Sequence, residues 1–244
     1  MMLGARNGAW AKSGGGVPTA SDYVQDGLIA MWDGIENAGL GVHDPSATIW
    51  KDLVGGYDVS NSYSNMTWTD NGYSFGNIVD NFFYRSSATE ILDTVKSKLF
   101  TMEVVRSSYS PITNAGFISL GGNSRRNIMI FDGKSNTIID ISCIFLGANT
   151  GSAGITGSNL SFVRTFVGDG SSILIYTNST GGISGQFGKI SNNDSQLYIG
   201  RISYTVGNTV CNGIVNSIRF YSRALTAAEI AHNYEIDKAR FNLP

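Results

Sequence analysis

Cysteine, proline, histidine and charge are all scarce in this chain of 244 residues, which has 2 Cys, 4 Pro, 2 His and 15% charged side chains. Cys143 and Cys211 are too few for a disulfide framework and lack the C-x-x-C spacing of a metal or redox site. They read as buried free thiols, because an unpaired Cys packs as a small hydrophobe. His43 and His232 have no Ser, Cys or metal-ligand pattern around them in sequence. His232 falls in the last helical stretch, where a cation complements the macrodipole. A net charge of −2 with Lys and Arg scattered supplies no basic stripe, so neither nucleic acid nor an anionic membrane surface is an expected partner. No run approaches the roughly 18 apolar residues of a membrane span. The segment M-M-L-G-A-R-N-G-A-W lacks the apolar core of a secretory signal. The expectation is therefore a soluble protein.

What is present is 42% hydrophobic residues and 30 Gly. That balance suits short strands joined by Gly, Asn and Ser turns, and sandwiches of this length often form one domain. The period of hydrophobicity switches within 212–234. Ile214, Ile218 and Phe220 alternate with polar residues as in a half-buried strand. Thr226 and Glu229 then have capping-box spacing, and Ile230, Tyr234 and Phe241 fall near one helical face. Residues 26–33 alternate as a strand covered on both faces. Two short strands are expected around Asp70-Asn71-Gly72 within 66–83, and Ser87 with Glu90 predicts a second capped helix ending before Leu99. Further predicted strands cover 99–106, 116–120, 127–131, 137–146, 160–167, 173–178, 196–201 and 214–221. Residues 1–24, with a Gly14-Gly15-Gly16 run and little apolar pattern, read as an arm anchored by Leu3 and Trp10 that either lies across its own sandwich or docks on another subunit.

The closing strand, the Arg-Ala-Leu-Thr link and the capped helix resemble the C-terminal signature of the laminin-G-like, concanavalin A-like lectin/glucanase superfamily, with its pentraxin-type jelly roll. The L-F-T-M-E-V-V-R segment at 99–106 resembles that family's F-T-I-E-V strand. Residues 50–58 resemble its D-x-S-G-N-G-x-D turn, with Val54 and Gly56 at the Ser and Asn positions, and 162–176 resembles its H-V-A-V-T-Y-D-G hairpin. The resemblance implies an all-β, two-sheet antiparallel jelly-roll sandwich over 25–225, after an arm over 1–24 and before a helix and tail over 226–244.

The resemblance also frames the chemistry. Its laminarinase-type members carry E-x-D-x-x-E on one strand, where period two keeps the carboxylates on one face. This chain has five glutamates, at 36, 90, 103, 229 and 235, and none starts that motif. Glu103 stands alone on its strand, and the carboxylates read as solvated or capping, so the chain is expected not to be an enzyme. Many members bind calcium; Asp33, Asp52 and Asp58 are the candidate ligands here, with no cofactor required. A glycan face is expected among Tyr63, Trp68, Tyr73, Tyr84 and Asn81, where aromatic rings lie beside amides. The functional expectation is a non-enzymatic structural or display component of a larger assembly, such as a phage virion decoration or fibre protein. Its arm would dock on a protein partner or a second copy, and it would adhere to surface polysaccharide. A free lectin-like carbohydrate-binding protein is the alternative, and a glycan hydrolase ranks last.

Overall fold

Period-two alternation decides which side chains of this protein enter the core. The computed structural model describes residues 17–61, 63–76, 78–107, 116–121, 128–132, 139–145, 148–155, 161–187, 193–201 and 211–244. In order, the strands are β1 (Leu28–Asp33), β2 (Ile49–Trp50), β3 (Val59–Ser60), β4 (Trp68–Thr69), β5 (Gly72–Ser74) and β6 (Phe83–Arg85). Helix α1 (Thr89–Ser97) follows, and then β7 (Leu99–Ser107), β8 (Gly116–Leu120), β9 (Ile128–Asp132), β10 (Ile139–Phe145) and β11 (Ala148–Ile155). The chain closes with β12 (Phe162–Asp169), β13 (Ser172–Thr177), β14 (Thr180–Gln186), β15 (Leu197–Ile199), β16 (Ile214–Tyr221) and helix α2 (Ala227–Phe241).

These strands form two antiparallel sheets. The first runs β14-β13-β12-β7-β16-β5-β4, with β1 also paired to β16, and the second runs β11-β10-β9-β8-β15-β6-β3-β2. Phe100, Met102 and Val104 of β7 enter the main core with Phe162 and Phe166 of β12 and Ile218 and Phe220 of β16. The second sheet meets them with Phe83, Phe117, Ile118, Leu197 and Ile199. The fold is therefore a two-sheet β-sandwich with a C-terminal helix.

The opposite face of the first sheet is covered by α2. Ile230 and Ile236 pack with Tyr23, Val24, Met31 and Tyr221, while Phe241 and Leu243 meet Val105 and Val163. Burying each such aliphatic side chain contributes about 1.5–3 kcal/mol. Thr226 caps α2: its hydroxyl accepts from the Glu229 N–H, and the Glu229 carboxylate accepts from the Thr226 N–H. Arg223 makes a two-pronged pair with Glu229, which holds that carboxyl down to about 2.

Several sequence expectations change on contact with the structure. Leu3 and Trp10, the anchors expected for the arm, lie outside the described residues, which begin at Val17. Its end is no arm: Ala20, Tyr23 and Val24 are buried, the Tyr23 hydroxyl donates to Asp237, and the Val24 N–H donates to Asn233. Two large apolar residues at an interval of one, read as featureless in sequence, instead fill the seam beneath α2. At α1 the N-cap is Ala88 without a side-chain cap. Glu90 accepts from the Tyr57 hydroxyl rather than closing a capping box. His232 contacts the Asp22 carbonyl at 2.9 Å, a tie between the helix and the N-terminal segment. Cys211 is a buried free thiol, and the side chain of Cys143 lies outside the described residues.

Candidate functional site

Charge is concentrated under α2, where it is sealed from solvent. Glu103 of β7 is 1% exposed, contrary to the reading of a solvated carboxylate. Its register partner Arg219 donates from Nε to Glu103 at 2.8 Å and from both terminal nitrogens to Asp237 at 2.8 and 2.7 Å. Asn233 donates to Glu103 and to the Tyr221 hydroxyl, and the Arg219 guanidinium stacks over the Tyr23 ring at 4.0 Å. Burial raises the Glu103 carboxyl, and Arg219 opposes that shift. Burial alone would lower Arg219, but Asp237 and Glu103 outweigh it and hold the guanidinium well above its ordinary value. A neighbouring cluster pairs Arg240 with Asp33 and Glu36. These buried pairs tie α2 to the sheet.

The three calcium candidates do not converge on one point. Asp33 accepts from Arg240 and from the N–H groups of Ile35 and Glu36. Asp52 folds the 52–57 loop by accepting from four N–H groups, those of Met31, Val54, Gly55 and Tyr57. Asp58 accepts from Lys51 and from the Asp52 N–H. Both oxygens of Asp52 and of Asp58 accept hydrogen bonds, whereas Asp33 accepts through Oδ1 alone and its buried Oδ2 has no hydrogen-bond partner. Among the described residues no three His, Cys, Asp or Glu side chains cluster as a metal site.

The predicted glycan residues separate into two groups. Tyr73 and the fully buried Asn81 belong to the core, and the half-buried Trp68 packs against it: Trp68 stands edge-on to Trp50 and Tyr73, and Asn81 accepts from the Tyr73 hydroxyl and the Asn61 amide. Tyr63 is half-buried, and its N–H donates to Asn61. Tyr84 is different. On β6, Phe83 points inward, so Phe82 and Tyr84 fall on the outer face; on β15, Leu197 and Ile199 point inward and leave Tyr198 outside. Tyr84 and Tyr198 are direct cross-strand partners, with ring centroids 5.0 Å apart, and Phe82 lies 6.0 Å from Tyr198. The Arg201 guanidinium sits 4.5 Å from the Phe82 ring. All three rings are half-buried, giving a shallow aromatic tray with a cationic rim.

Backbone geometry fixes that tray from behind. Gly200 follows β15 with φ +94, and a Cβ there would lie 2.0 Å from the Phe75 ring. Only glycine lets the strand turn from Tyr198 toward Arg201 at this approach. The sequence expectation includes Tyr84 but not Phe82, Tyr198 or Arg201, because β6 and β15 are three residues long and F-F-Y and L-Y-I show no apolar–polar alternation; the pairing of the two strands sets which rings face outward.

The class defined by this geometry is a β-sandwich whose second sheet carries an outward aromatic tray. No protein-family model matches the chain, and no curated protein matches it in sequence. Solved structures do match in fold. A Trypanosoma rangeli sialidase in complex with 2,3-difluorosialic acid aligns with a TM-score of 0.62 at 15% identity, covering 91% of this chain and 33% of that one. The botulinum neurotoxin serotype D/C binding domain aligns at 0.60 and 12% identity, covering 86% of this chain and 52% of that one. Domain 4 of AbnA, a GH43 extracellular arabinanase from Geobacillus stearothermophilus, in complex with arabinotriose, aligns at 0.55 and 12% identity, covering 84% and 96%.

The chain thus spans about a third of the sialidase chains it matches. At these identities the likeness concerns the fold. It corrects one expectation nonetheless. Sialidases are enzymes, so the missing E-x-D-x-x-E motif is no ground for setting the chain apart from enzymes. That motif belongs to one branch of sandwich proteins, and its absence tests only that branch. No helix among the described residues is long and apolar enough to cross a membrane.

Proposed function

We propose that this chain is a carbohydrate-binding β-sandwich module of laminin-G-like type, with its ligand face on the outer surface of the second sheet at Phe82, Tyr84, Tyr198 and Arg201. The observation that carries this reading is the cross-strand Tyr84–Tyr198 pair, extended by Phe82 into a three-ring surface on two adjacent strands. The negative faces of aromatic rings attract the C–H edges of a sugar ring, and their area removes those C–H groups from water. Tyrosine hydroxyls and the guanidinium at the rim then bond sugar hydroxyls, the combination of apolar floor and few polar groups that orients small ligands. The solved structures that share the fold include complexes with sialic acid and with arabinotriose, and these two glycan types head the ligands to be tried.

Attachment to a larger assembly, as in a virion decoration or fibre protein, is compatible with this reading; it would be carried by residues 1–16, including Leu3 and Trp10. The test of the main reading is a glycan array containing arabinan fragments and sialylated chains. The wild type binds a defined subset of glycans, and Tyr198→Ala weakens that binding about tenfold, the effect of roughly 1.4 kcal/mol. An array without any bound glycan, or one unchanged by Tyr198→Ala, refutes it.

A further inference from the structure

Strand pairing sends Asp33 of β1 and Ser217 of β16 to the same face of the first sheet. The two residues are direct cross-strand partners, and side chains at such a pair stand on one face with Cβ atoms about 4.5–5.5 Å apart. That face is the one beneath α2: Val105, the partner of Ser217 on β7, packs with Phe241 of the helix. Arg240, the residue before Phe241, reaches the same patch and donates from Nη2 to Asp33 Oδ1 at 2.8 Å. Asp33, Ser217 and Arg240 are all buried.

One atom of each side chain is sealed from solvent and makes no hydrogen bond: Asp33 Oδ2, Ser217 Oγ and Arg240 Nε. The remaining atoms of the two charged groups are well used. Asp33 Oδ1 accepts from the Ile35 and Glu36 N–H groups as well as from Arg240, and Arg240 also donates to Glu36 and to the Pro18 carbonyl. Arg240 thus meets Asp33 through one nitrogen and one oxygen, and the two-pronged contact common between a guanidinium and a carboxylate is not formed. Leaving one buried polar atom bare is costly, and three on one patch point to a shared partner.

The chemistry of the three atoms selects that partner. Nε only donates, the carboxylate oxygen only accepts, and the serine hydroxyl does either. The Arg240 charge repels a cation, the Asp33 charge repels an anion, and an apolar group satisfies none of the three. A water molecule accepts from Nε, donates to Oδ2 and bonds the Ser217 hydroxyl; buried waters typically make about three such bonds. We propose that Asp33, Ser217 and Arg240 form a binding site for one internal water, which joins β1, β16 and the last turn of α2. The water closes the Arg240–Asp33 contact that the side chains leave open. The Arg219 cluster, by contrast, is bonded directly from side chain to side chain. Because the site lies on the first sheet and the aromatic tray on the second, it stands independently of the carbohydrate-binding reading.

The test uses the full chain. A crystal structure that resolves ordered solvent should show a peak within about 2.7–3.2 Å of all three atoms. Oxygen-17 relaxation of the solvent should count one long-lived water fewer in Ser217→Val, whose methyl groups take the water's place, than in wild type. Ser217→Ala removes one bond and leaves the water its other two, so the melting temperature should fall by about 1–6 °C. Ser217→Val should lower it further, because Asp33 Oδ2 and Arg240 Nε are then sealed without a partner. Without the water that order reverses, since valine is the better strand residue and buries more apolar surface than alanine. The proposal is wrong if Oδ2 and Nε bond each other directly, or if the peak sits at about 2.3–2.6 Å from Oδ2, as a bound cation would. It is equally wrong if Ser217→Val is at least as stable as Ser217→Ala. Should Ser217→Val fail to fold, the wild-type crystal structure alone decides.

Discussion

Replacing Asp237 by alanine is the most demanding perturbation of the helix-to-sheet seam. Asp237 is fully buried and accepts three hydrogen bonds, two from the Arg219 guanidinium and one from the Tyr23 hydroxyl. Asp237→Ala removes all three acceptor contacts and leaves a buried cation held only by Glu103. Breaking a buried pair from one side costs about 3–5 kcal/mol. At roughly 2–4 °C per kcal/mol for a domain of this size, the melting temperature should fall by about 6–20 °C. Thermal and urea unfolding followed by circular dichroism measure both quantities. The combination Arg219→Met, Glu103→Leu, Asp237→Leu, Tyr23→Phe and Asn233→Leu removes the charges together with the two donors that face them and should cost less than Asp237→Ala alone, because the desolvation cost disappears with the charges. A loss below about 1 kcal/mol for Asp237→Ala would refute the reasoning, since it would mean the guanidinium finds water or another partner beneath α2.

Ile230 is buried in the same seam, so Ile230→Ala should cost about 2–4 kcal/mol in urea unfolding. Tyr23→Ala should cost about 3–5 kcal/mol, and calorimetry of that variant checks that the core reaches back to this residue. Glu229 has a folded value near 2 against an ordinary 4.5, so its stabilisation is fully present above about pH 4.5 and is lost as pH falls toward 2. Glu229→Gln should therefore be less stable than wild type by about 1–3 kcal/mol at neutral pH, after allowance for solvent screening, with the difference closing below pH 3 in pH-dependent unfolding.

The parts of the fold that were legible in the sequence are those with a clear period. Strands β8 and β16 match their expected limits, and the turn at Asp70-Asn71 joins β4 to β5 as expected. Strands β11 and β14, A-N-T-G-S-A-G-I and T-G-G-I-S-G-Q, carry too few apolar residues for any alternation, and their pairing comes from neighbouring strands. Strands β2, β3 and β6 are two or three residues long, below the length at which a pattern can show. Glu103 looked solvated because its partners, Arg219 and Asn233, are 116 and 130 residues away in sequence. Trp68 and Tyr73 looked like a ligand face because composition does not tell an outward ring from an inward one. The pairing of β6 with β15 does, and it places Phe82, Tyr84 and Tyr198 outside.

Titration calorimetry of the best glycan from the array against the double variant Tyr84→Ala, Tyr198→Ala bears most directly on the central claim. Both side chains are half-buried and outward, so the variant should melt close to the wild type. The account predicts that binding falls by about a hundredfold or more, two tenfold losses on adjacent rings. Binding within about threefold of wild type, in a variant that is folded, would contradict it.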